Sequence, residues 1–99
     1  MTINKTQSGT ETILSLVGRL DTVTAPDLEA VLIPVLDECQ ELILNFENLN
    51  YVSSAGLRVL LTGQKKANKT KKNLVISNVN DTIMEVFEMT GFSDILNIE

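Results

Sequence analysis

The spacing of apolar residues along this chain switches between every second position and every third or fourth, and few architectures accept the order in which it switches. Two alternating stretches, Thr2 to Gln7 and Glu11 to Leu20, flank Ser8-Gly9-Thr10. A short glycine-containing connection between alternating runs predicts a β-hairpin. Next come Thr24-Ala25-Pro26-Asp27, a capping threonine, a first-turn proline and an acid at the positive helix end, ahead of Leu28, Val31, Leu32, Val35 and Leu36 on one helical stripe. Pro34 lies inside that helix, removes an N–H and crowds the preceding turn, so a kink or break is expected after Ile33.

Glu41 to Phe46 is a short apolar run of the kind found in buried central strands. From Ala55 to about Asn68 the pattern is again helical, through Leu57, Leu60, Leu61, Gln64 and Ala67, with Gly63 inside it to permit close packing. Leu74 to Val79 predicts another buried strand. Asn80 is placed to cap a last helix that ends at Thr90, with Gly91 in the left-handed position and Phe92 folding back on the helix end. Ile95 to Ile98 is expected to add a short final strand. Strands alternating with helices imply parallel strands joined by right-handed crossovers. The expected fold is therefore α/β, a mixed four- to five-stranded sheet with an N-terminal antiparallel hairpin. No linker, repeat or low-complexity segment interrupts residues 1–99, which are read as a single domain. In such sheets the functional surface lies beyond the carboxyl ends of the parallel strands, which directs attention to the turn Asn48 to Ser54.

Composition narrows the chemistry. The longest apolar stretch, Val31 to Leu36, is interrupted by Pro34 and is far shorter than a membrane span of roughly 20 residues. The N-terminus alternates apolar and polar residues instead of presenting a basic start and an apolar core, so no signal peptide is read and a cytoplasmic location is expected. Histidine is absent, which removes the usual general base, the commonest metal ligand and every Ser-His or Cys-His pair. The single cysteine, Cys39, has no companion with which to hold zinc and is read as a passive thiol at a helix end. No metal and no cofactor are expected.

The formal net charge of −5 is uneven: residues 48 to 80 contain six bases and no acid, and the rest carries −11. A basic segment can mark nucleic-acid binding, but here it holds one aromatic, Tyr51, and positions 58, 62, 65 and 69 share one helical stripe. A solvated helix face accounts for it better.

Asn50-Tyr51-Val52-Ser53-Ser54-Ala55-Gly56-Leu57 places two hydroxyls where a buried strand passes into a helix. Either serine can act as the helix cap. A nucleophile elbow would require glycine where Val52 stands and a histidine elsewhere, and no Walker phosphate loop occurs. The unpaired amides and the dipole of a helix start do favour an anion on or beside Ser54.

These residues resemble the STAS-domain anti-sigma factor antagonists, bacterial proteins switched by serine phosphorylation. The likeness runs over roughly residues 2 to 96 and rests on three ordered segments. Gly18-Arg19-Leu20-Asp21, with Thr24 and Ala25, is similar to the family's Gly-x-Leu-Asp turn. Phe46 to Leu57 is similar to its phosphorylation loop, and Phe87-Glu88-Met89-Thr90-Gly91-Phe92 to the end of its third helix.

The resemblance implies that Ser54 accepts phosphate from a kinase-type anti-sigma factor, with Ser53 and Ala55 departing from the family's usual Asp and Ser/Thr at the flanks. It also implies that Asp21, Thr22, Thr24, Ser53, Ala55, Gly56 and Arg58 form the phosphosite surroundings and the partner surface. For Asp21 a turn-forming role, and for Arg58 a plain solvated one, remain alternatives. Met84 and Met89 are read as packing residues, with an adaptable binding face as the other possibility.

The implied mechanism is partner switching. The unmodified protein binds the anti-sigma factor and frees the sigma factor, phosphorylation prevents this, and a phosphoserine phosphatase restores it. The chain is not an enzyme in this scheme, since ATP and magnesium belong to the partner, and neither nucleic acid nor membrane takes part. Two other readings stay open: a non-phosphorylated STAS scaffold or accessory subunit of a signalling or transport complex, and a hydrolase built on Ser54.

Overall fold

Gly9, at φ +61°, turns β1 (Thr2–Ser8) back along β2 (Glu11–Leu20), and the antiparallel ladder runs from Ser8 opposite Glu11 to Thr2 opposite Val17. The computed structural model describes residues 1–99. Two parallel strands, β3 (Glu41–Val52) and β4 (Asn73–Ser77), complete a four-stranded sheet in the order β1-β2-β3-β4. The connections are α1 (Ala25–Glu38) and α2 (Ser54–Thr70), and α3 (Asp81–Thr90) follows β4. The mixed sheet with an N-terminal hairpin is thus the architecture expected from the apolar spacing.

Leu14, Leu44 and Ile76 stand in register on one face of the sheet and belong to the same buried core as Leu28 and Leu32 of α1, Leu57 and Leu60 of α2, and Ile83 and Phe87 of α3. Phe46 meets Phe87 with ring centroids 6.4 Å apart. The cap of α3 is as predicted: Asn80 accepts from the Ile83 N–H at 2.8 Å, and its own amide donates to the Leu49 carbonyl, tying the helix start to β3. Gly91 closes α3 at φ +80°, and Phe92 packs on the core.

Four expectations need correction. α1 is not broken at Pro34 but runs unbroken to Glu38. Leu28, Leu32, Val35 and Leu36 are buried on both sides of the proline, so both halves are held against one core. Pro34 itself and Ala30, whose carbonyl loses its helical donor, are both exposed, which leaves the freed group open to solvent.

Strand β3 does not stop at Phe46. It continues to Val52 because β2 stays paired with it as far as Leu20, Val17 lying opposite Asn48 and Leu20 opposite Val52 across two register shifts that bury Leu49 and Val52 out of strict alternation. Strand β4 ends at Ser77, before Val79. The expected strand at Ile95 to Ile98 is reduced to one parallel bridge between Ile76 and Ile98, following a 3-10 turn at residues 92–94.

Candidate functional site

The β2–β3 ladder ends at Leu20 opposite Val52, and the Ser53 N–H donates to the Leu20 carbonyl at 2.8 Å. Two chain segments therefore leave the sheet side by side, one entering α1 through Asp21 and the other entering α2 through Ser53. The connection expected over Asn48 to Ser54 contracts to Ser53 alone.

Ser53 has extended backbone angles (φ −91°, ψ 174°), and its Oγ accepts from the Gly56 N–H at 3.2 Å while its carbonyl accepts from the Leu57 N–H at 2.9 Å. Ser53 is the cap. Ser54 is the first helical residue, exposed, and its amide and that of Ala55 precede the first intrahelical bond and have no backbone acceptor. Gly56 lets this helix start lie against the end of β2: a Cβ there would fall 2.7 Å from Leu20 Cγ and 3.1 Å from the Leu20 carbonyl oxygen.

Asp21 is held in a turn of its own. Its Oδ1 accepts from the Val23 and Thr24 amides, each at 3.0 Å. The Thr24 backbone N–H, above all, holds the Asp21 carboxyl below its ordinary range, helped by the Thr24 hydroxyl, the Val23 amide and Arg19. The turn-forming reading of Asp21 is the one these bonds show, and the residue follows directly on Leu20, whose carbonyl receives the Ser53 N–H.

Thr24 occupies the cap position of α1, but its hydroxyl caps nothing. It accepts from the Asp21 N–H and donates to the Arg19 carbonyl, both at 2.8 Å. The reason is that α1 has no donor left for it: Ala25 N–H reaches Asp21 O, Asp27 and Leu28 N–H reach Thr24 O, and Pro26 has none.

A carboxylate whose folded-state pKa is lowered stabilises the fold above its unfolded pKa, and that contribution is lost as pH falls through the folded value. Asp21→Asn keeps the acceptor oxygen but cannot ionise. The wild type is expected to lose more stability than Asp21→Asn as pH drops below about 4. Urea denaturation of both proteins between pH 3 and 6 checks this, and parallel pH profiles would refute it.

Sequence reasoning missed Arg19 and Tyr51 as a pair. The shifted register sets them on adjacent strands, the Arg19 guanidinium lies 4.3 Å from the Tyr51 ring centroid, and Arg19 Nε is 3.7 Å from Asp21 Oδ2. Only the bulged pairing of β2 with β3 reveals this contact, so no local signal announced it.

Thr22 is exposed at the mouth of a groove of about 600 Å³ between α1 and α2, and Ala55 and Arg58 line the same groove. Cys39 lies at the far end of α1, buried, its thiol pushed up in pKa by burial and donating to the Val35 carbonyl at 3.3 Å. Met84 is half-buried against the core, as the packing reading expected, whereas Met89 is 79% exposed on the outer face of α3 and is not part of that packing.

The STAS domain profile matches residues 2–99. An anti-sigma-B factor antagonist of Staphylococcus aureus is 38% identical over 82 residues, covering 82% of this chain and 76% of the relative. The chain belongs to the STAS-domain anti-sigma factor antagonist family. Solved structures share its fold. An anti-sigma factor antagonist from Mycobacterium paratuberculosis superposes with a TM-score of 0.88 at 21% identity, over 98% of this chain and 83% of that one. SpoIIAA of Bacillus in its phosphorylated form superposes at 0.77 and 18%, over 99% and 91%. Within this STAS domain no helix is long and apolar enough to cross a membrane.

Proposed function

We propose that this STAS protein, unmodified, binds a kinase-type anti-sigma factor and releases the sigma factor, and that phosphorylation of Ser54 by that partner switches it off. The observation that carries the reading is the division of labour between two adjacent serines. Ser53 is committed to the cap, while Ser54 is exposed beside amides that lack acceptors. An anion on Ser54 is welcome to the helix terminus and accessible to a modifying enzyme.

The remaining parts of the proposal follow from partner switching: a cytoplasmic protein that is the substrate and not the catalyst, with a phosphatase to reset it. Incubation with the kinase-type anti-sigma factor and ATP is expected to add one phosphate, seen by intact mass. Ser54→Ala should abolish the addition and Ser53→Ala should retain it. Labelling that survives in Ser54→Ala would reject the assignment.

The scaffold reading draws on the flanks of Ser54, where Ser53 and Ala55 stand in place of the family's Asp and Ser/Thr. A stable complex with a partner that lacks kinase activity, indifferent to Ser54→Asp, would establish it instead.

A further inference from the structure

Helix α1 and the helix that Ser54 begins, α2, leave a groove between them that the fold does not fill. Pro26, Ala30, Ile33 and Pro34 of α1 and Ala55 and Val59 of α2 line it, with Thr22 and Thr62 also exposed to it, so its walls are mostly small and only partly apolar. Only two charged side chains line it, Glu29 on α1 and Arg58 on α2. Arg58 is exposed and takes part in none of the ion pairs of the chain, which join Lys5 to Glu38, Arg19 to Asp21 and Lys66 to Asp37. α2 contains no acid at all to balance it.

Arg58 also follows Ser54 by four residues on the same helix. That spacing brings the Cβ atoms to about 5–6 Å, and an anion on the N-terminal side of a cation is the favourable order. A phosphoryl group on Ser54 and the mouth of the groove are therefore within reach of one guanidinium, which binds phosphate and carboxylate in the same two-pronged way.

We propose that Arg58 is a counter-ion shared between two anions: in the unmodified protein it pairs a carboxylate on a helix of the anti-sigma factor laid in the α1–α2 groove, and phosphate on Ser54 takes it away. This rests on the function proposed above and adds to it where the partner lies and how the modification reaches that surface. A helix is the occupant that matches two helix walls lined by small residues, as a ridge matches a groove. A carboxylate is the group that the unpaired Arg58 calls for, and Glu29 on the opposite wall repels it from the wrong side.

Phosphoserine installed at position 54 by expanded-code translation allows a test that needs no kinase. The second ionisation of the phosphate, followed by phosphorus NMR, is expected to lie lower in the wild type than in Arg58→Gln by several tenths of a pH unit. Identical titrations would overturn the clamp, whatever the partner does.

Binding of the anti-sigma factor gives the second arm. Arg58→Gln is expected to weaken the unmodified complex about tenfold and to shrink the further loss caused by phosphate. Ala30→Glu, a substitution on an exposed helix position, should also weaken it about tenfold by placing an acid in the groove. Wild-type affinity in Ala30→Glu, or an equal effect of phosphate with and without Arg58, would overturn the groove. A wild-type protein that neither binds nor is labelled would instead reject the function on which the proposal rests, and the phosphorus titration would still decide the clamp.

Discussion

Phosphate on Ser54 is expected to lower the affinity for the anti-sigma factor by about three orders of magnitude while leaving the fold intact. The modification adds about −1.5 to −2 charges at pH 7 to a residue that is otherwise neutral. A single unit-charge repulsion at roughly 4 Å, with an effective dielectric near 20, amounts to about 4 kcal/mol, which is close to three decades in a dissociation constant. The same charge costs the free protein nothing, because the Ser54 and Ala55 amides point out of the helix start without backbone acceptors and the helix dipole contributes about 0.3–1 kcal/mol in its favour. Titration calorimetry on phosphoserine-54 and unmodified protein, with melting curves of both, tests the pair of statements. A loss of affinity under tenfold, or a phosphorylated protein that no longer melts cooperatively, would contradict them.

Replacing Gly56 by alanine is expected to destabilise the protein by about 1–3 kcal/mol, although alanine is the better helix former by about 1 kcal/mol. The added Cβ would lie 2.7 Å from Leu20 Cγ and 3.1 Å from the Leu20 carbonyl oxygen. That carbonyl cannot retreat, since it accepts the Ser53 N–H at the end of the β2–β3 ladder. Relief must come from lifting the start of α2 off the sheet, which moves Ser53 and Ser54 together. The melting temperature should fall by about 5–20 °C for a domain of this size, and labelling of Ser54 should slow.

Gly63 provides the contrast. Its Cβ would meet Leu32 Cδ2 at 2.7 Å, the end of a side chain that can rotate, so Gly63→Ala should be the milder change. Thermal denaturation of the two variants side by side checks the order, and a Gly56→Ala protein more stable than the wild type would show that the helix start is not pinned to β2.

Much of this molecule was legible in one dimension because its signals are local. The turn at Gly9, the Asn80 cap and the left-handed Gly91 each depend on a few neighbouring residues, and each appears where the residues announce it. Apolar spacing likewise marked the four strands and three α-helices, though not the 3-10 turn that replaced most of the expected last strand, since burial on one face of an element has only two periods to choose from. Candidate site residues were found for the same reason: a strand-to-helix turn with paired hydroxyls is visible in eight consecutive letters.

Other features required the chain to meet itself. Pro34 reads as a helix breaker until buried residues on both sides hold α1 unbroken against the core. Ser53 and Ser54 are equivalent candidates for the cap until the Ser53 N–H is anchored on Leu20, which turns one hydroxyl back to Gly56 and leaves the other to solvent. The stacking of Arg19 on Tyr51, and the groove that Arg58 overlooks, exist only because bulged pairing and helix packing join residues more than 20 positions apart. The residue order by itself determined where the four strands and three α-helices begin, to within about a residue, because caps, turns and periodicity act over a few bonds. Tertiary structure alone decided which side chains those elements leave exposed and paired, because burial and register are properties of contacts between segments distant along the chain.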